Sequence, residues 1–191
     1  MNALAMSASS LNHWVRKAKA RLVVDQRGVA VIELAIILPF MLLLYLGGLE
    51  VSQAMAVKRK AALTASTVAN LAAQYSSIST SQTMPDILNA AAAVLTPYSA
   101  ANAIVVVSAV NIDGAGHATV AWSEALNGAA RPTGQAVTIP AGLDVPNTTL
   151  IWGETIYNYQ PFIDFLNTGA FKLYSSIYML PRLSSTITLA P

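Results

Sequence analysis

RGVAVIELAIILPF, residues 27–40, opens with a cation and a glycine and then runs apolar except for one carboxylate, Glu33. The apolar character continues well past this stretch. From Val29 to Leu49 there are 21 residues, and Glu33 is the only charged one. A helix of that length rises about 31 Å, which matches the ~30 Å hydrocarbon core of a bilayer. Pro39 falls mid-span, where it removes one backbone hydrogen bond and favours a kink; prolines are tolerated in membrane helices. Upstream, Arg16, Lys17, Lys19, Arg21 and Arg27 stand against Asp25 alone. By the positive-inside rule this basic leader, residues 1–28, stays cytoplasmic, and everything after the transmembrane helix at 29–49 lies outside.

The helical pattern carries on beyond the span. Ala54, Val57, Ala61, Ala65, Val68, Leu71 and Tyr75 recur at spacings of three and four, while Lys60, Thr64, Thr67, Asn70 and Gln74 take another face. This predicts a helical extension over 50–75, continuous with the span; two separate helices, loosened at Gly47-Gly48, are the alternative. Its thin, alanine-rich stripe suits close packing against a sheet or another helix.

Residues 76–191 read as an α+β domain. Ser76 to Gln82 is a polar break. Thr83 then looks like a helix cap with Asp86 three residues on, and Met84, Ile87, Leu88, Ala91 and Leu95 make a buried stripe that Pro97 ends. After Pro97 the period changes to two. Residues 103–112 and 118–125 flank the turn Asp113–His117 and predict a β-hairpin. The Gly/Pro-rich stretch 127–147 reads as loop. Residues 148–159 and 173–180 are further strands, 186–190 a short edge strand, and Phe162 to Asn167 a brief helical turn. The fold class expected is thus α+β, a long N-terminal transmembrane helix running into a small domain with an antiparallel sheet.

Charged residues make up only 10% of the chain, where a soluble domain has about 25%, and the net charge of +2 gives no reason to expect nucleic acid. There is no cysteine, which excludes disulfides and thiolate metal sites. His117 is the only histidine beyond the leader and sits in a hairpin turn, where a solvated loop residue outweighs a catalytic base. No serine has an elbow context, and Gly114-Ala-Gly116 lacks the third glycine of a dinucleotide loop. Trp122 and Trp152 read as core or sheet-face residues. No enzyme activity, cofactor or metal is expected.

Glu33 has several plain explanations. It can be a boundary acid that snorkels to water, at a cost well below the ~2.5–3.5 kcal/mol of the bilayer centre. The span can be a simple single-pass anchor. It can also belong to a secretory signal cut at Ala54-Met-Ala56, although the apolar run exceeds the 7–15 residues of a signal core.

A further reading covers more of the residues. A charged leader, a glycine, and an apolar helix with Glu five residues after the glycine resemble the processing site of type IV prepilins. Arg27, Gly28, Glu33, Leu38-Pro39, Gly47 and Glu50 together resemble the N-terminal signature of the TadE/TadG-like proteins of Flp (Tad) pilus systems. Leu34 departs from the aromatic that often follows the Glu there. Tyr159-x-Pro161, Pro181-Arg182 and the hairpin ending near Trp122 are looser likenesses to the family's exterior domain, and the chain's length favours the TadE over the TadG type. The resemblance implies cleavage between Gly28 and Val29, and capture of a neighbour's new N-terminal amine by Glu33 during subunit assembly. It implies an inner-membrane protein with its domain in the periplasm, acting as a minor pilin or pseudopilin. The partners implied are the prepilin peptidase, the major Flp pilin, other minor pilins, the inner-membrane assembly platform and the lipid bilayer. An uncleaved, membrane-anchored envelope scaffold or adhesin is the rival from another class, and an enzyme released at Ala56 is a second.

Overall fold

The computed structural model describes residues 27–162 and 169–191; the basic leader before Arg27 and nearly all of the expected turn at 162–167 lie outside them. The chain divides into two compact units, residues 1–49 and 50–191.

In the first unit the described residues are all helical. They belong to α1, which runs unbroken from Arg27 to Ala72, so the one-helix reading holds and Gly47-Gly48 does not interrupt it. Pro39 lies inside the helix without ending it. Nearly every side chain from Gly28 to Leu49 is exposed, including Ile32, Ile36, Phe40 and Leu44. The helix is long and apolar enough to cross a membrane, and none of its most apolar window is buried against the protein. An apolar helix without a protein cover needs a bilayer or partner helices to take its surface from water.

The second unit is an α+β domain. Its elements in chain order are the rest of α1, β1 (Ser77–Ser79), α2 (Thr83–Ala93), a 3-10 turn (Ala100–Asn102), β2 (Ala103–Ile112), β3 (Ala118–Leu126), β4 (Ala136–Val137), β5 (Thr148–Tyr159), β6 (Phe171–Met179) and β7 (Thr188–Ala190). Five strands form an antiparallel sheet in the order β4-β3-β2-β5-β6. The expected hairpin is present, and β5 spans the expected residues. The loop at 127–147 contributes only the two residues of β4.

The core lies between one sheet face and the two helices. Val68, Ala69 and Ala72 of α1 and Met84, Ile87, Leu88 and Ala91 of α2 pack with Val105, Val107, Ala109, Trp122 and Ile151. Small residues let α1 lie close to the sheet. At Gly153 of β5 an added Cβ would collide with the carbonyl oxygen of Ala65 and come within 2.9 Å of Ala69 Cβ. The stripe also drifts from the expected one. Thr64, expected on the polar face, is fully buried and donates its hydroxyl to Lys60 O at 3.0 Å, whereas Tyr75 is exposed beyond the helix end.

Three further expectations need correction. The polar break at 76–82 holds strand β1, which pairs in parallel with β7 as a separate two-stranded sheet, so residues 188–190 do not edge the main sheet. Thr83 is the first helical residue of α2 and not its cap; Gln82 holds that place, without a side-chain cap bond. A capping Thr83 would find one of its two target amides missing at Pro85. Lastly, α2 ends at Ala93, before Pro97 is reached, although Leu95 is still buried.

Candidate functional site

The motif residues sit on the first turns of α1. At Gly28 an added Cβ would meet nothing within 4 Å among the described residues. Packing among the described residues therefore places no demand for glycine at this position. Val29 is about half exposed, at 52%, and Glu33 is exposed one helical turn further on. Glu33 makes no hydrogen bond or ion pair with any described residue. Its flanking exposed residues on the helix, including Val29, Ile32, Ile36 and Ile37, are apolar. A carboxylate so placed in lipid has two ways to be accommodated, reaching water or finding a cation on another chain.

Glu50, the second acid of the motif, behaves differently. It opens the second unit, and its Oε1 accepts a hydrogen bond from Tyr159 Oη at 2.7 Å and from the Phe162 amide at 2.9 Å. Tyr159 is buried at the end of β5, and its ring meets Phe171 edge-on at 5.3 Å. Burial, then the bond to the Glu50 carboxylate, push the Tyr159 hydroxyl up to about 12. Glu50 thus joins α1 to the C-terminal end of β5.

A second polar constellation lies on the sheet face turned away from the helices. Residues alternate along β5, so Leu150 and Trp152 belong to the outer cluster and Ile151, Tyr157 and Tyr159 to the inner ones. Glu154, also on the outer face, is buried. Arg131 from the Gly/Pro-rich loop grips it with both ends of its guanidinium, Nε to Oε2 and Nη2 to Oε1, each at 2.7 Å. Tyr174 Oη donates to the same Oε1 at 2.8 Å. The guanidinium also lies 4.0 Å from the centre of the Trp152 ring, which stacks on Tyr178 of the neighbouring strand. The bond to Glu154 raises the Arg131 pKa further, and burial raises those of Tyr174 and Tyr178.

This group was not read from the sequence. A signal for it existed, since Glu154 is an acid inside an otherwise uncharged strand, and residues 76–191 hold only three basic side chains other than His117, namely Arg131, Lys172 and Arg182. All the outer group's charges are matched internally, so it works as a staple holding the loop to the sheet. His117 is exposed in the hairpin turn and pairs with Asp113 at 3.1 Å; the His117 amide and that pairing hold the Asp113 carboxyl below its usual range. Among the described residues no cluster of His, Asp and Glu has the makeup of a metal site.

Comparison with known proteins bears on α1. No curated protein and no solved structure matches the chain. A family model described as TadE-like protein matches residues 28–70, which is nearly the whole of α1 and contains Gly28, Glu33 and Glu50. That similarity over residues 28–70 agrees with the resemblance legible in residues 27–50.

Proposed function

We propose that this protein is a single-pass inner-membrane component of a Tad (Flp) pilus system, acting in pilus assembly as a minor pilin or pseudopilin through contacts between subunits. The observation that carries the reading is Glu33, a carboxylate without a described partner on an uncovered apolar helix, within the segment that matches the TadE-like family. Cleavage after Gly28 makes Val29 the new N-terminus and puts a fresh ammonium group on an identical helix. An ammonium and a carboxylate attract strongly where the dielectric is low, and each is costly there alone. Pairing between neighbouring subunits removes both costs. The space at Gly28 among the described residues supports a requirement imposed by a protease and not by packing. The prepilin peptidase, the major Flp pilin, related minor pilins and the assembly platform are the partners in this reading, with the exterior domain in the periplasm.

The test uses native membranes from pilus-competent cells. N-terminal sequencing should find Val29 as the first residue, and a bulky residue at Gly28 should abolish the mass shift. Glu33→Gln should leave insertion intact but lower co-purification with pilins and pilus number at matched protein level. Intact protein with normal piliation in both variants would leave an uncleaved envelope scaffold or adhesin as the better account.

A further inference from the structure

β3 runs out at Leu126, and the next two residues, Asn127 and Gly128, make the only Asn-Gly dipeptide in the chain. Asn127 has a φ of 59°, in the left-handed region that asparagine tolerates better than most residues with a side chain. Its side-chain amide nitrogen donates to the carbonyls of Ala100 at 3.0 Å and Ala103 at 3.1 Å. Ala100 opens the 3-10 turn and Ala103 opens β2, so Asn127 ties the end of β3 to the start of its neighbour. An amide nitrogen carries two hydrogens to donate, whereas an ionised carboxylate has none.

Gly128 is required for a different reason. A Cβ there would come within 2.5 Å of Ile104 Cγ2 and 3.3 Å of its Cγ1. Ile104 precedes Val105, which pairs with Leu126, and a β-branched side chain has little rotamer freedom with which to yield. The fold thus calls for asparagine at 127 and glycine at 128 on separate grounds, the first for conformation and donors, the second for space. Together they form the dipeptide most open to deamidation, because glycine leaves the attacking backbone nitrogen unhindered. Both residues are exposed, so burial does not keep water from them.

We propose that Asn127 is a deamidation site that the fold both imposes and guards, so that the modification marks chains left unfolded. In the reaction the Gly128 amide gives its proton to hydroxide, and its nitrogen bonds to Asn127 Cγ. The Cγ–Nδ2 bond breaks, Nδ2 takes a proton from water and leaves as ammonia, and a cyclic imide remains. Water then opens the imide at Cγ to give aspartate, or at the backbone carbonyl of residue 127 to give isoaspartate. The leaving nitrogen is the atom that Ala100 and Ala103 hold in the folded domain. Bringing Cγ onto the Gly128 nitrogen requires the side chain to turn away from both carbonyls. Either product disturbs the fold. Aspartate sets a carboxylate against two carbonyl oxygens, and isoaspartate lengthens the backbone where Gly128 already lies close to Ile104. The site lies wholly in the second unit and is independent of the pilus reading.

The test uses full-length protein in detergent micelles at mildly alkaline pH, across a series of guanidinium concentrations. Mass-spectrometric peptide mapping follows conversion of the amide to the acid at Asn127. Conversion in the native protein should be about tenfold or more slower than in the unfolded chain, since two hydrogen bonds of ordinary strength must open first. The rate should climb together with the loss of near-ultraviolet circular dichroism and not steadily with denaturant. Asn127→Asp should lower the melting midpoint of the α+β domain more than Asn127→Gly, which keeps the left-handed backbone and brings no charge. Gly128→Ala should slow conversion in the unfolded chain and yet lower the melting midpoint.

Equal rates in native and unfolded protein overturn the guard. An Asn127→Asp variant that melts with the unaltered protein overturns the mark, because the product would then be harmless. A Gly128→Ala variant that melts with the unaltered protein shows that the fold does not impose the dipeptide, and overturns that half of the inference.

Discussion

Arg131 and Glu154 show how one buried charge constrains a domain poor in cations. Glu154 is held by both ends of one guanidinium and by the Tyr174 hydroxyl, so loss of Arg131 strands a carboxylate in the sheet. Arg131→Ala should lower the stability of the α+β domain by about 3–5 kcal/mol in denaturant unfolding of the full chain. Replacing both residues by methionine should recover much of that loss, because two apolar side chains leave no charge behind. Equal losses in the single and double variants would show that packing of the loop dominates over the charge. Tyr159 gives a second residue-scale prediction. Its folded pKa is raised, so its contribution is complete below the unfolded value near 10 and is lost as pH rises through about 12. Unfolding midpoints should therefore fall across that window, and Tyr159→Phe should flatten part of the fall, with Tyr174 and Tyr178 supplying the rest.

At the scale of elements, the approach of α1 to β5 depends on Gly153. A methyl group there meets the Ala65 carbonyl and Ala69, both on a helix backbone that cannot yield locally. Gly153→Ala should destabilise the domain by about 1–3 kcal/mol, and a smaller effect in thermal melts would mean that helix and sheet separate easily. The long strands were legible because β2 and β5 combine β-branched runs with turn residues at their ends. The α1 stripe was legible only in part, since a helix lying flat on a sheet buries a wider arc than one row of residues, and Thr64 falls within that arc. The β1–β7 pair was not legible as a pair. Three residues show no periodicity, and their partners are more than a hundred positions apart in sequence. The Arg131–Glu154 staple was hidden for a related reason: sequence shows an acid in a strand but not which loop cation reaches it.

For the whole molecule, the family match begins in the first unit, with Gly28 and Glu33, and runs into the second, which carries its own core. Substitution at Gly28 should therefore separate folding from processing. Gly28→Ala should leave the near-ultraviolet circular dichroism and melting of the α+β domain unchanged, while a bulky residue there should block the proposed cleavage without unfolding that domain. A shared loss of fold and processing would tie the two units more closely than their separate contacts indicate. The division also accounts for what sequence could say about function. The motif lies in a segment where membrane chemistry permits few charges, so each one stands out; the domain's surface has no such filter.

The parallel pairing of Ser77–Ser79 with Thr188–Ala190 has a consequence for timing. Trp122 donates its indole hydrogen to the carbonyl of Ile187 at 2.7 Å, and Ile187 is itself part of the core. Ribosomes deliver residues in order, so the segment whose Ile187 accepts the Trp122 hydrogen bond is made after the strands it packs on. Until residues 187–190 arrive, the emerging polypeptide lacks the piece that closes its interior.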